Sequence, residues 1–277
     1  MLKRIGNFLI AILVFVVAVV TVLVFQTVVI NICVFAGLGP KESTPITLVA
    51  GHVGLILVFG LWYAFGLKKF RHARKSMKKV ATPGNLGGLL LLSLGLSFFM
   101  SFGLPLVNPI IPEEIIERYI EMMEIAQLGE SVFTNFAGCF LAPIGEELIF
   151  RGVMLYFLLK VIKGLKRKKV LFWVVNLVQA VAFGALHGNM YQGMYATLLG
   201  LLIGFMAYKS DTILVPILIH MIYNILQIVL MEPIEAVLPE NMVIYALIVV
   251  VGFAVMIAGM CIVKFPKEED EQEKMAA

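Results

Sequence analysis

The sequence of 277 residues is poor in charge and in cysteine. Asp, Glu, Lys and Arg make up 14% of it, against about 25% in an ordinary soluble domain. Its three cysteines, Cys33, Cys139 and Cys261, lie far apart in apolar segments and form no CxxC pair. A disulfide framework and a thiolate metal site are therefore not expected. We interpret the cysteines as small apolar packing residues.

Hydrophobic residues, by contrast, make up 61% of the chain, and its mean hydropathy is +0.98. A helix needs about 20 apolar residues to cross the hydrocarbon core of a bilayer. On this measure we predict an all-α polytopic membrane protein with about eight transmembrane helices. The first apolar run is too long for a cleaved signal peptide and is predicted to be a retained span. The predicted spans are 7–36, 46–67, 85–107, 132–159, 170–188, 191–208, 212–231 and 242–263.

The basic residues support this count. If the N-terminus is cytoplasmic, 19 of the 22 Lys and Arg residues fall in cytoplasmic segments, and only Lys41, Arg118 and Arg151 lie elsewhere. The positive-inside rule therefore predicts that both termini are cytoplasmic. Because the basic residues lie in short loops between apolar runs, we expect the lipid bilayer as a partner and no nucleic acid.

Three regions are expected along the chain. Residues 1–131 form an N-terminal three-span region with an external loop, residues 132–231 a core of four spans, and residues 232–277 the last span with an acidic cytoplasmic tail. In the external loop, 108–131, glutamates recur at helical spacing beside an apolar stripe. This pattern predicts an amphipathic helix on the outer surface or capping the bundle, with a solvated acidic connector as the alternative. The tail is expected to be disordered.

The stretch APIGEELIFRG, residues 142–152, places three charged side chains inside a predicted span. One charge at the bilayer centre costs at least about 2.5–3.5 kcal/mol. Glu147 and Arg151 are four residues apart, share a helical face and can form an ion pair. Glu146 points about 100° away and is left as the unmatched carboxylate. Such a carboxylate can act as a general base or acid. The alternative is that all three charges only hold helices together.

Two further predicted spans carry a histidine with a companion on the same face. His187 follows Phe183 by four residues, and His220 precedes Asn224 by four. Together with Glu146 these groups suit hydrolysis. A carboxylate with an imidazole can deprotonate a water, and a second imidazole with an amide can stabilise an oxyanion. Glu146, His187 and His220 could instead bind a catalytic zinc ion.

These residues stand in three motifs on separate predicted spans, EExxxR at 146–151, FxxxH at 183–187 and HxxxN at 220–224. Their order resembles the CAAX-protease and bacteriocin-processing (CPBP) family of intramembrane proteases, which includes the Ras-converting type of CAAX endopeptidase. The resemblance covers about residues 130–230. It implies a glutamate-dependent endopeptidase with a multi-helix core.

The resemblance also implies roles for the individual residues. Glu146 and His187 would activate the water, and His220 and Asn224 would form the oxyanion side. Site-shaping roles are implied for three further residues, Glu147, Arg151 and Phe183. The family has been described both as metalloproteases and as glutamic proteases. We favour the metal-free version, because Asn224 suits an oxyanion donor and the first motif is not HExxH. A zinc ion held by Glu146, His187 and His220 is the alternative.

The expected substrate is a membrane-associated peptide or a prenylated protein with a C-a-a-X tail. We expect the active site to face the cytoplasm, in a prokaryotic plasma membrane. At 1.5 Å per residue, however, His187 would lie near the outer end of its span, unless that helix starts below the membrane surface or breaks at Gly188. The competing functions are a proton-coupled transporter that uses the buried carboxylates as a relay and a non-catalytic membrane scaffold or immunity protein.

Overall fold

The structure is a computed structural model that describes residues 1–126, 129 and 131–265. Within these residues every regular element is a helix and there is no strand. The expected all-α polytopic membrane architecture is therefore confirmed. The acidic tail that was expected to be disordered, residues 267–274, lies outside the described residues.

Ten helical elements follow one another along the described part of the chain. They are α1 (Leu2–Phe35), α2 (Pro40–Gly66), α3 (Phe70–Val80), α4 (Pro83–Ile110), α5 (Glu113–Ala126), α6 (132–162), α7 (Lys168–Leu186), α8 (Met190–Ser210), α9 (Leu214–Val237) and α10 (Met242–Ile262). Seven of these described helices are long and apolar enough to cross a membrane by length and composition, namely α1, α2, α4, α7, α8, α9 and α10.

The remaining predicted span, 132–159, lies within α6, which is helical but irregular. Its α-helical parts are Val132–Phe136, Ala142–Glu147 and Leu155–Ile162. They are joined by two π-helical turns, Ala137–Leu141 and Leu148–Met154. Pro143 contributes to the first irregularity, because proline lacks an N–H and its ring crowds the carbonyl four residues earlier. π-Helical turns are frequent at functional sites.

The closest helix packing joins α4 to α10 through glycines. A Cβ atom added to Gly95 would overlap the backbone nitrogen of Met256 and lie 2.5 Å from the carbonyl oxygen of Gly252. Gly88 and Gly259 approach each other in the same way, and each lies seven residues from the glycine of the first contact on its own helix. Small residues at this spacing let two membrane helices approach to backbone contact. They bind the last span to the third.

Helices α7 and α8 form a tight antiparallel pair. A Cβ on Gly184 would overlap the carbonyl oxygen of Gly193, and Gly200 lies against Ala180. The turn between them uses Gly188 at φ +66, a conformation that glycine adopts without a Cβ penalty. The pair places the end of α7, where His187 lies, beside the start of α8.

The basic segments share one face of the bundle. The Nε2 atom of His72, in α3, lies 2.6 Å from the carbonyl oxygen of Asp211, and Arg4 donates to the carbonyl oxygen of Lys163. Lys209 Nζ donates to Met260 O at the end of α10. We refer to this side as the basic face.

Helix α5 lies at the opposite end of the bundle. The expected amphipathic segment is helical over Glu113–Ala126, and its Tyr119 ring packs 4.9 Å from the ring of Tyr191 in α8. The hydroxyl groups of Tyr119 and Tyr195 are 3.4 Å apart, and Tyr191 donates to Asn108 Oδ1 over 2.9 Å. Burial raises the pKa of Tyr119. The helix therefore caps the ends of α4 and α8 and is not a solvated connector.

Candidate active site

The predicted ion pair forms in α6. Arg151 Nη1 donates to Glu147 Oε1 over 2.8 Å, and both side chains are 0% exposed. The four-residue spacing identified this contact from the sequence alone. Fully buried charges of this kind are stable only when they are paired and hydrogen-bonded.

His220, from α9, joins the two glutamates. Its Nδ1 lies 2.9 Å from Glu147 Oε1, and its Nε2 lies 3.8 Å from Glu146 Oε2. A carboxylate accepts, so Nδ1 carries the proton that is donated to Glu147. Glu147 thereby holds the imidazole in one orientation and directs Nε2 toward Glu146. Glu146 itself is 8% exposed and lies beyond hydrogen-bond distance of His220.

The other end of the arginine is held by helices α7 and α8. Arg151 Nη2 donates to the carbonyl oxygen of Gly200 over 3.1 Å, and Gln179 Nε2 donates to the same oxygen over 3.0 Å. Asn176 Oδ1 accepts from Gln179 over 2.8 Å, and Asn176 donates to Leu201 O. Asn176 and Gln179 lie outside the three sequence motifs. The backbone oxygen of Gly200 carried no sequence signal at all.

Phe183 lies at the centre of the cluster. Its ring packs edge-on against the rings of His187 and His220, with centroids 5.1 and 5.8 Å away. The guanidinium carbon of Arg151 stands 4.6 Å from the same ring centroid, close enough for a cation–π contact. Phe150, the residue before Arg151, packs on its remaining side at 5.2 Å. The first motif and the two histidines therefore meet around one aromatic ring.

His187 reaches the cluster through that ring. Its Nδ1 donates to the carbonyl oxygen of Phe183 over 3.0 Å, which leaves Nε2 free to accept. The side chain is half-buried, and among the described contacts it has no hydrogen bond to Glu146 or His220. Helix α7 runs unbroken to Leu186, so no helix break moves His187 deeper into the bundle.

Asn224 reaches across to α6. Its Nδ2 donates to the carbonyl oxygen of Gly138 over 2.8 Å, within the first π-helical turn. The amide has a second N–H, which remains available to another acceptor. This backbone partner carried no signal in the sequence.

The described residues do not form an assembled set of ligands for the alternative zinc site. Among the residues that the structure describes, no group of three or more His, Cys, Asp or Glu side chains is placed to hold a metal ion. Glu146 and His220 approach each other to 3.8 Å, whereas no described contact joins His187 to either of them. The structure thus shows a carboxylate–imidazole cluster and leaves zinc as a hypothesis for chelation experiments.

One segment of the chain is similar to known membrane peptidases. Residues 128–226 match the family described as "Type II CAAX prenyl endopeptidase Rce1-like". A segment of 100 residues is 29% identical to "Putative membrane peptidase YdiL" of Bacillus subtilis (strain 168), covering 36% of this chain and 38% of that protein. The chain thus matches well under half of the length of this curated relative. No solved structure matches the chain. The family match spans all three motifs, so residues 128–226 are similar to this family, and the rest of the chain lies outside the match.

Proposed function

We propose that this integral membrane protein is an intramembrane endopeptidase that hydrolyses a membrane-tethered peptide with a water activated by Glu146 and His187. The observation that carries the proposal is the arrangement around His220. Glu147 fixes one nitrogen of this imidazole at 2.9 Å, and Glu146 stands 3.8 Å from the other. A carboxylate beside an oriented imidazole, both largely shielded from solvent, is a typical arrangement for general acid–base catalysis.

In the proposed reaction, Glu146 takes a proton from a water molecule. His187 Nε2 accepts the second hydrogen of this water and holds it in place. The resulting hydroxide adds to the carbon of the scissile carbonyl. The C–N bond then breaks, Glu146 returns the proton to the leaving amine, and the products are an amine and a carboxylic acid, which releases its proton to solvent and leaves as a carboxylate.

The oxyanion of the tetrahedral intermediate would lie between Asn224 and His220. Asn224 offers its second N–H, and His220 in its doubly protonated form offers Nε2–H, while Glu147 keeps the ring oriented. Preorganised donors of this kind are worth about 10²–10³ in rate each. Arg151 does not touch the reacting atoms in this scheme. It is a positioning residue that holds Glu147.

The family match and the similar protein support a peptidase. The identity of the substrate is a more specific proposal. A prenylated C-a-a-X tail is the substrate class that the family description names, and other membrane-associated peptides are equally compatible with the site. We place the protein in a prokaryotic plasma membrane, as expected from its short basic loops. A zinc-dependent version of the same protease and a non-catalytic scaffold are the alternatives.

The test uses purified protein in nanodiscs and a fluorogenic farnesylated C-a-a-X peptide. We expect Glu146→Gln to lower cleavage by at least about 100-fold, because a general base contributes about 10²–10⁴. Glu117→Gln, which changes an exposed glutamate of α5, is the matched control and should cleave like the wild type.

A strong zinc chelator separates the two mechanisms. Cleavage that is lost in Glu146→Gln but kept with chelator supports the glutamate mechanism, whereas loss with chelator that added zinc restores supports the zinc version. Full activity of Glu146→Gln would refute the proposed base. A wild type that cleaves neither this peptide nor an unprenylated membrane-tethered reporter would favour the scaffold.

A further inference from the structure

A cavity with a volume of about 530 Å³ opens on the basic face. Pockets that bind small molecules typically have volumes of about 300–1,000 Å³. Its lining includes four lysines and one carboxylate, namely Lys69, Lys75, Lys79, Lys209 and Asp211. With His72 neutral, these groups give the cavity a net charge of +3. A site of this charge selects an anion.

The cavity is distinct from the candidate active site. It reaches Arg151 and Gly152, but the Arg151 side chain is 0% exposed, so the cavity meets only the backbone there. The guanidinium charge is already paired with Glu147. None of the four proposed reacting residues lines the cavity. Its lysines therefore have no part in the proposed hydrolysis.

The lysines come from two elements that the structure ties together. Lys209, at the end of α8, donates to Met260 O over 3.0 Å. Lys69, just before α3, has its Nζ 5.8 Å from the ring centroid of Tyr156, which also lines the cavity. Between the two elements, His72 Nε2 lies 2.6 Å from the carbonyl oxygen of Asp211. An anion bound in the cavity would offset the repulsion between ammonium groups from both sides.

Aromatic residues place this cavity at the level of lipid headgroups. Tyr208 lines the cavity, and its ring packs 4.2 Å from the ring of Phe172 near the start of α7. The next residue, Trp173, is 51% exposed and stacks on Phe205 at 5.5 Å. Amphipathic aromatic side chains are enriched at the membrane–water interface. The lysines of the cavity are therefore expected to lie beside the phosphates of the adjacent leaflet.

Helix α3 offers apolar contact to the same lipids. Phe70 and Met77 are seven residues apart on one helical face, and they are 63% and 54% exposed. Arg71, Arg74 and Lys78 are exposed next to them. A helix with exposed apolar side chains beside basic ones binds at the surface of anionic membranes. This combination favours a lipid over a free phosphate ion, which gains nothing from the apolar residues.

We infer that the cavity binds the phosphate group of an anionic phospholipid, with Lys69, Lys75 and Lys209 as its cationic contacts. The bound headgroup bridges the start of α3 to the end of α8. A free phosphate ion carries the same chemistry without the acyl chains and is the competing source of the ligand. A zwitterionic phospholipid carries the phosphate without net charge and binds more weakly.

The test titrates the purified full chain, stripped of lipid in detergent micelles, with dioleoyl phosphatidylglycerol and counts bound lipid by native mass spectrometry. Parallel titrations use dioleoyl phosphatidylcholine and inorganic phosphate. Lys69→Gln/Lys75→Gln removes two charges of the cavity. The matched control, Lys166→Gln/Lys168→Gln, removes two charges from exposed positions of the basic face that do not line the cavity. Lys69→Arg/Lys75→Arg keeps the charge.

We expect the wild type to bind phosphatidylglycerol at least about 10-fold more tightly than phosphatidylcholine. A lysine near an anionic lipid contributes about fivefold to binding, so the Gln double variant should bind about 25-fold more weakly. The control and the Arg double variant should bind like the wild type.

Equal weakening in the Gln double variant and the control, or equal binding of the two lipids, overturns the inference. Displacement of phosphatidylglycerol by an equimolar amount of inorganic phosphate also overturns it, because the ligand would then be the free ion. The comparison of the two lipids uses only the wild type, so the inference stays testable if a variant does not fold. Binding needs no hydrolysis, so the result is independent of the cleavage assay.

Discussion

Loss of the Glu147 carboxylate is expected to unfold the site before it affects chemistry. A single oxygen of this residue, Oε1, accepts from Arg151 over 2.8 Å and from His220 over 2.9 Å, in a place where Glu147 is 0% exposed. Glu147→Leu removes the acceptor of both hydrogen bonds at once. The guanidinium then keeps the carbonyl oxygen of Gly200 as a partner but loses its directly paired carboxylate.

The magnitude follows from this geometry. Removing one partner of a buried ion pair costs about 3–5 kcal/mol, because the remaining charge stays desolvated. For a chain of this size, each kcal/mol corresponds to about 2–4 °C in Tm, so the melting temperature should fall by roughly 6–20 °C. Thermal unfolding in detergent micelles, followed by circular dichroism, measures the shift.

Two further variants make the prediction specific. Glu146→Gln changes a neighbouring buried carboxylate that lies 3.8 Å from His220, beyond hydrogen-bond distance. The Tm of this variant should therefore stay within a few degrees of the wild type. The double variant Glu147→Leu/Arg151→Met removes both charges, and replacement of a buried pair by apolar residues is often neutral or stabilising. It should recover most of the lost Tm. A wild-type Tm for Glu147→Leu, or a double variant less stable than the single one, would refute the reasoning.

The remaining predictions concern packing and capping. Gly95→Ala should lower the Tm strongly, because the added Cβ would overlap the Met256 backbone. The control is Gly87→Ala on the same helix, where an added Cβ meets no atom within 4 Å, and its Tm should be unchanged or higher. Phe183→Ala should cost about 3–5 kcal/mol of stability and abolish cleavage, because it removes the ring between both histidines, while Phe183→Leu should fold and cleave slowly. An Asn189→Ala variant loses the cap to Gln192 N and about 0.5–2 kcal/mol, which Asn189→Asp should restore; equal Tm values for the two would refute the cap.

Sequence spacing predicted those contacts that one helix makes with itself. Glu147 and Arg151 pair because residues four apart share a face, and Phe183 meets His187 for the same reason. The apolar runs likewise predicted the helices, because each long run must stay helical to satisfy its backbone in lipid. The three motifs indicated which helices would supply the site, and His220 does reach both glutamates.

Contacts with backbone atoms of other helices could not be predicted. Gly200 holds Arg151 and Gly138 holds Asn224 through their backbone carbonyl oxygens, a group that every residue possesses. Which carbonyl faces a given side chain depends on how two helices cross, and a single sequence does not specify this. The sequence likewise left open whether the helix breaks near His187, and the structure shows that α7 runs unbroken to Leu186.

The alternating turns of α6 make the site sensitive to the number of its residues. A π-helical turn closes its hydrogen bonds one residue later than an α-helical turn and so takes up an extra position. Deleting one residue from Leu148–Met154 would let the segment relax to regular helix while the helix beyond it keeps its rotation, because the π-helical turn holds that extra position. Deleting one residue from a regular α-helical part of α6, such as Ala142–Glu147, would instead turn the residues beyond it by about 100°. The effect of a one-residue deletion on the site should therefore depend on which turn of α6 loses the residue.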